Sequence, residues 1–268
     1  MSVTVVGSLN EDVLVAVGRL PGRGETVIGR SAELAPGGKG ANQAAAAGRL
    51  GPGVHMVGRV GEDPAGNRQL AALAASRVNV SRVHRTAGVP TGSATIPVEE
   101  GSGENLIVVV PGANAAVGGF STGANVLCQL EIPDAALHEA RAQASWLCVN
   151  AAPARPLALD ADLVVANRYE AEVVGDQRLL ALTLGQEGAV LLEDGKEIAR
   201  AKPPHVEAID GTAAGDAFTA CLVVSLLEGR DRDEALRRGC AAGAIAASRF
   251  GAQPSLPTAD EVDAILRA

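Results

Sequence analysis

An α/β fold built on a mostly parallel sheet is what this sequence predicts, and three observations carry it. From residue 125 onward, short apolar runs of strand type alternate with helical segments, the pattern of parallel strands joined by crossover helices. The chain opens with a β-branched run, Val3–Val6, that stops at Gly7-Ser8. A glycine-rich turn at 211–215 precedes an almost wholly apolar stretch at 216–227, as a buried helix requires. The 268 residues, 47% of them hydrophobic, suffice for one large α/β domain or two small ones, and neither an internal repeat nor a linker divides them.

The first run reads as a core strand that delivers Asn10 and Asp12 to its end, with a polar break at Asn10-Glu11-Asp12 before a strand at 13–17. Pro36-Gly-Gly-Lys-Gly40 opens a helix at 41–50, where backbone N–H groups cluster. A strand at 54–57 and a helix near 67–76 follow. Segments 92–98 and 105–110, joined by a turn at 99–104, read as a hairpin, because Ala94, Ile96 and Val98 alternate with smaller or polar neighbours. Next come a strand at 126–130, a helix at 133–142 and strands at 145–149, 163–166, 179–184 and 189–192. Helices at 216–227 and 232–248 follow, and Thr258 with Glu261 has the capping-box spacing that starts a last one.

Composition excludes several classes of function. The 23 basic and 31 acidic residues leave a net charge of −8, so no broad positive field exists to hold a nucleic-acid backbone. Three Phe, one Tyr and one Trp are too few for the stacking platforms of single-strand binders, and any bound base must rest on aliphatic surface. No run approaches the ~18 apolar residues of a membrane helix and the start lacks a signal sequence, so a soluble cytoplasmic protein is expected. Cys128, Cys148, Cys221 and Cys240 are widely spaced within apolar runs, which reads as buried reduced thiols. His55, His84, His138 and His205 show no metal-ligand spacing.

Four constellations carry candidate chemistry. In Asp210-Gly-Thr-Ala-Ala-Gly-Asp216, small residues let backbone amides converge on an anion at a helix start with a carboxylate beside them. That pairing suits phosphoryl transfer to an alcohol, although a tight turn with an Asp cap has the same look. Pro36-Gly-Gly-Lys-Gly-Ala-Asn42 is not a P-loop, since no Ser or Thr follows Gly-Lys; it reads as a sugar cradle near Asp12 or as a flexible loop before a helix. Asn167-Arg-Tyr-Glu170 follows a strand, where an amide and a carboxylate could meet a hydrated cation or simply cap a helix. Thr183-Leu-Gly-Gln-Glu-Gly188 is either a plain turn or a phosphate-facing loop.

The joint order of these blocks resembles the PfkB-type carbohydrate kinases, and within them the ribose-phosphorylating branch. The likeness runs from about residue 3 to residue 265. It includes Gly7-Ser-Leu-Asn-Glu-Asp12, Pro21-Gly-Arg-Gly-Glu-Thr26, Gly37-Gly-Lys-Gly-Ala-Asn-Gln43, Gly112-Ala-Asn-Ala115, Asn150-Ala-Ala-Pro-Ala-Arg155, Asn167 to Glu170, Asp210 to Asp216 and Gly251-Ala-Gln-Pro-Ser255. The resemblance implies a three-layer α/β/α fold with a small β-sheet lid, one domain over residues 1–268, and lid strands at about 11–18 and 92–111 that in the family also pair two subunits as a homodimer. The implied sugar site is Asn10, Asp12, Gly38, Lys39, Gly40, Asn42 and Glu131. The implied base is Asp216, with Ala213, Ala214 and Gly215 as the anion hole. Asn167, Thr183, Gly185, Gly188, Gly215 and Cys240 match ATP-contact positions, and Glu170 lies near hydrated Mg²⁺. Asp210, Thr212, Ala246, Arg249, Gly251 and Ser255 match an activating K⁺ site.

The implied activity is transfer of the γ-phosphoryl group of ATP to the 5-hydroxyl of D-ribose. Deoxyribose, another pentose or a nucleoside is the alternative acceptor, and a degenerate sugar-binding protein the alternative of another class. Three departures stand out. Gly211 replaces a usual Thr, and Cys240 replaces a frequent polar contact to adenine. The stretch between Glu172 and Thr183 is too short for the family's crossover helix, which predicts a nucleotide-side sheet face near Ala166 that is less covered.

Overall fold

The computed structural model describes residues 2–51, 53–101 and 104–267. Residues 102 and 103 of the expected 99–104 turn, and Met1, lie outside them. β1 (Val3–Val6), buried on both faces, sits inside a nine-stranded sheet. One side continues to β4 (Val54–Gly61) and the edge strand β5 (Asn79–Thr86). The other side runs through β8 (Asn125–Gln129), β9 (Trp146–Asn150), β10 (Leu163–Asn167) and β11 (Leu179–Thr183), all parallel. β12 (Ala189–Glu193) and β13 (Lys196–Ala201) close that edge antiparallel.

Side chains alternate between two cores, as strands covered on both sides demand. Val5, Leu127, Cys148 and Val165 face one core, built with α1 (Lys39–Leu50), α2 (Pro64–Ala75), α5 (Ala214–Leu227), α6 (Arg232–Ala247) and α7 (Ala259–Arg267). Val6, Cys128, Val149 and Ala166 face the other, with α3 (Asp134–Gln143) and α4 (Arg168–Val174). The result is the three-layer α/β/α sandwich, and all four cysteines are free and buried in it. Among the described residues no helix is long and apolar enough to cross a membrane.

A second sheet of four strands stands beside this body in the order β3-β2-β6-β7. β2 (Asn10–Val17) pairs antiparallel with β3 (Gly29–Gly37) and parallel with β6 (Gly92–Glu99), which forms the hairpin with β7 (Val108–Val110). The polar break expected at Asn10-Glu11-Asp12 does not exist. Asn10 and Asp12 turn inward from a continuous strand while Glu11 meets Arg68, so the polar triplet simply follows the two-residue period. β3 has no hydrophobic alternation of its own and forms because β2 supplies its ladder.

The short crossover is as expected, and the second correction concerns the sheet face beside it. No helix of three turns lies between Glu172 and Thr183, but α4 begins four residues before that stretch, capped by an Asn167–Glu170 box, and spans seven residues. Its Ala171 and Val174 pack with Ala166 and Leu180, leaving Ala166 1% exposed, so the sheet face there is covered rather than bare.

β1 and α1 meet backbone to backbone. A Cβ on Gly40 would fall 2.5 Å from the Ser8 amide nitrogen and 2.6 Å from the Gly7 carbonyl carbon. Replacing Gly40 with Ala should therefore destabilise the chain by about 1–3 kcal/mol or more, since fixed backbone cannot move aside. Urea unfolding monitored by circular dichroism checks this, and an unchanged midpoint would contradict it.

Candidate active site

From β1 the sheet grows toward β4 on one side and toward β8 on the other, so the connections diverge between β1 and β8 and leave a crevice at their carboxyl ends. A cavity of about 1020 Å³ occupies it, running from the underside of the lid to the 209–216 turn. Its lid wall combines aliphatic Leu14, Ala94, Ile96 and Val109 with polar Ser31, Glu33 and Glu99, and its floor is polar.

Ser8 organises the floor. Its hydroxyl donates to Glu131, Lys39 N donates to the same carboxylate oxygen at 3.1 Å, and Ser8 also receives Gly40 N and Ala41 N on its hydroxyl and carbonyl oxygens. The amides clustered at the start of α1 are thus taken by protein acceptors. Gly38 reaches this junction at φ 88°, where a Cβ would lie 2.7 Å from Asn10 N. Asn10 accepts a hydrogen bond from Asn114 Nδ2 at 2.7 Å, which fixes its amide at the cavity wall.

The 210–216 turn supplies the opposite wall. Asp210 Oδ1 accepts from Thr212 N at 2.9 Å and from its hydroxyl at 2.6 Å, while Oδ2 accepts from Gly251 N at 2.9 Å. Ala213, left-handed at φ 60°, turns the chain into α5, and Ala214 N donates back to Gly211 O at 3.2 Å. Of the expected Ala213–Gly215 amides, Ala214 N is the one turned back onto the loop itself. The Asp216 carboxylate accepts from Asn42 Nδ2 at 3.0 Å and Gln43 Nε2 at 2.8 Å.

Electrostatics here are strongly unbalanced. Burial, then repulsion from Glu131 and Asp216, pushes the Asp12 carboxyl up to about 7 despite Lys39. Burial also raises Asp216, against the opposing pull of Lys39, Gln43 and Asn42. Burial works to lower Lys39, but Asp216, Glu131, Glu170 and Asp12 together hold it above its ordinary value, firmly cationic.

Asn10, Asp12, Gly38, Lys39, Asn42, Glu131, Gly215 and Asp216 line this one cavity, as do Asn167, Glu170, Thr183, Asp210, Thr212 and Ala213. Gly40, Gly185, Gly188, Ala214, Ala246, Arg249, Gly251 and Ser255 are not on its wall. Cys240 is sealed away 3.8 Å from the Ala201 carbonyl, between α6 and β13, so nothing polar from it reaches the cavity. Sequence reading passed over Gln43 and Gln129, whose roles depend on partners far along the chain. Gln43 does stand in the Gly37–Gln43 block, next to Asn42, the only signal for it.

A crevice at the switch point of the sheet, a lid above it and a helix start carrying a buried carboxylate suit the phosphotransferase class. The model of the pfkB family of carbohydrate kinases matches residues 1–121 and 118–259, and the chain belongs to that family. Within it, the chain is 35% identical to ribokinase of Bacillus subtilis over 293 aligned positions, covering 99% of each chain. It is 34% identical to ribokinase of Haemophilus influenzae, covering 97% of this chain and 96% of that one. The solved structure of Arabidopsis thaliana ribokinase complexed with ribose and ATP superposes with a TM-score of 0.87 at 30% identity, covering 100% and 99% of the two chains. An alignment of 293 positions exceeds the 268 residues here, so the Bacillus relative carries segments this chain lacks.

Asp12 holds its proton in the folded chain at pH values where the unfolded chain has released it. Its contribution to stability is therefore present in acid and lost as pH rises through about 7. Relative to wild type, Asp12→Asn should become more stable between pH 4 and 8 by on the order of 2–4 kcal/mol. Parallel stability–pH curves for the two proteins would contradict this.

Proposed function

We propose that this chain is an ATP-dependent sugar kinase that moves the γ-phosphoryl group to the primary 5-hydroxyl of D-ribose, giving ribose 5-phosphate. The observation that carries the reading is the placement of Asp216. It is buried at the start of α5, between the polar floor and the Asn167–Thr183 end of the same cavity. The ribokinase relatives, and the ribose and ATP bound by the Arabidopsis one, support this choice of acceptor and donor.

Asp12, Asn10, Asn42, Lys39 and Glu131 offer acceptors and donors matched to several ring hydroxyls. Asp216 accepts the proton of the attacking hydroxyl, and its raised value brings it nearer the range of an effective general base. The amides of Gly215 and Asp216 and the Lys39 ammonium meet charge on the phosphoryl group in transfer. The lid keeps water, a competing acceptor, from the reacting group. Asn167 and Thr183 stand at the ATP end.

Glu170 fits a hydrated Mg²⁺, which binds one or two carboxylates and keeps its waters, because the residue lies on the cavity wall near the ATP end. When bound, the ion neutralises phosphate charge. Asp210, Thr212, Ala246, Arg249, Gly251 and Ser255 would hold K⁺. The Asp210 ties to Thr212 and Gly251 bring two segments together with oxygen donors that suit such a cation. ATP as donor makes the cytoplasm the site of action.

A second copy of the chain covers the outer lid in this reading. Leu34, Val13, Thr95 and Val108 form one row across the four strands, on the face away from the cavity, and Leu34 and Val108 are 56% and 62% exposed. A lone sheet of this size leaves too much apolar surface in water.

Kinetics, calorimetry and sedimentation check these statements. Asp216→Asn should retain ribose binding by calorimetry and lose about 10²–10⁴-fold in turnover. Near-wild-type turnover would remove the base, and ATP consumption across ribose, deoxyribose, other pentoses and nucleosides, with and without K⁺, tests acceptor and cation. By sedimentation, wild type should be a dimer at micromolar concentration and Leu34→Asp/Val108→Asp a monomer, while a wild-type monomer would refute the interface.

A further inference from the structure

Behind Asp216 runs a chain of buried amides, of which Asn150 reaches the cavity wall and Gln43 and Gln129 do not. Gln43, wholly buried on α1, donates Nε2 to Asp216 Oδ1 at 2.8 Å and to Asn150 Oδ1 at 2.9 Å. Its Oε1 accepts from Nε2 of Gln129, at the end of β8 and also wholly buried, at 2.7 Å. Asn150 Nδ2 donates in turn to the Val165 carbonyl at 3.1 Å. These partners fix every amide's orientation. A backbone carbonyl claims the Asn150 donor, so its oxygen must accept from Gln43, and Gln129 occupies the Gln43 oxygen so that only Nε2 can face Asp216.

The arrangement has a cost that packing alone does not explain. Among the described residues Gln129 Oε1 is buried without a hydrogen-bond partner, and it is accommodated only because residue 7 is glycine, whose Cβ would fall 2.0 Å away. An apolar side chain at 129 would avoid leaving a buried acceptor unpaired. The two donors to Asp216 also divide their work. Asn42 lines the cavity, whereas Gln43 does not reach the cavity wall.

We propose that Gln43, oriented by Gln129, is a positioning residue that locks the carboxylate of Asp216 in the one orientation that accepts the proton of the attacking hydroxyl. This rests on Asp216 being the base. The groups facing Asp216 are Lys39 on α1, Glu131 after β8, Glu170 on α4 and Asp12 on β2. Three of these are carboxylates, and the Gln43 and Asn42 donors act with Lys39 against the rise that burial and Glu131 impose on Asp216.

The test compares steady-state kinetics of the full chain with Gln43→Leu, Gln129→Leu, Asp216→Asn and the Gln43→Leu/Asp216→Asn pair, using labelled ATP for slow variants. Gln43→Leu should lower kcat by about 10–100-fold, change KM for ribose by less than about 3-fold, and move the acid limb of the kcat–pH profile up by about one unit. In the Asp216→Asn background the same change should cost less than about 2-fold, because no carboxylate remains to orient. Gln129→Leu should shift kcat and the pH limb in the same direction by less, and it decides the matter if Gln43→Leu fails to fold. Equal losses in both backgrounds, or an unmoved pH limb, overturn the positioning role while leaving the base intact. Wild-type turnover by Asp216→Asn alone overturns the base, and with it this role.

Discussion

A buried carboxylate must find donors or lose its charge, and Asp216 meets that demand in a way that shapes the whole centre of the molecule. Its partners Asn42 and Gln43 sit in the first turn of α1, so the starts of α1 and α5 are drawn together over the carboxyl ends of β1, β8 and β9. Helices can approach that closely only with small side chains. α1 accordingly presents Ala41 and Ala44 to Ala47, and Gly7 and Gly40 remove the side chains where β1 touches it. The glycines and alanines follow from the carboxylate.

The same centre carries more negative charge than the fold alone would tolerate. Asp12, Glu131, Glu170 and Asp216 surround one Lys39, and burial raises the carboxyls of Asp12, Asp216 and Glu170. Such repulsion lowers the stability of the empty protein and is retained where ligand hydroxyls or cations relieve it. Lys39 supplies the protein's own compensation, and the donors from Ser8, Asn42 and Gln43 the remainder.

The lid is positioned by α2 rather than by its own packing. Gln69 donates to the Asn10 carbonyl, Arg68 pairs with Glu11, and Asp63 accepts from Thr91 N at 2.7 Å and from its hydroxyl at 2.6 Å, immediately before β6. β2 and β6 are thus fixed at one end and free of the body along the rest. The pleat then assigns alternate residues to cavity and exterior, so Asp12 and Ala94 share an inner row while Val13 and Thr95 share an outer one.

The sequence alone determined the α/β class, the core strands from residue 125 onward, the apolar helix at 216–227 and the last capping box. It also supplied the blocks around Asp12, Lys39, Asn167 and Asp216, because periodicity and local turn chemistry reside in contiguous residues. Tertiary structure decided the rest. The strands β3, β5 and β13 have little pattern of their own and depend on neighbours for their ladders, and α4 starts early enough that a short connection still covers Ala166. The separate work of Asn42 and Gln43, adjacent in sequence, was settled by partners more than 100 residues away, since a helix turns successive side chains by about 100° and only packing decides what each one meets.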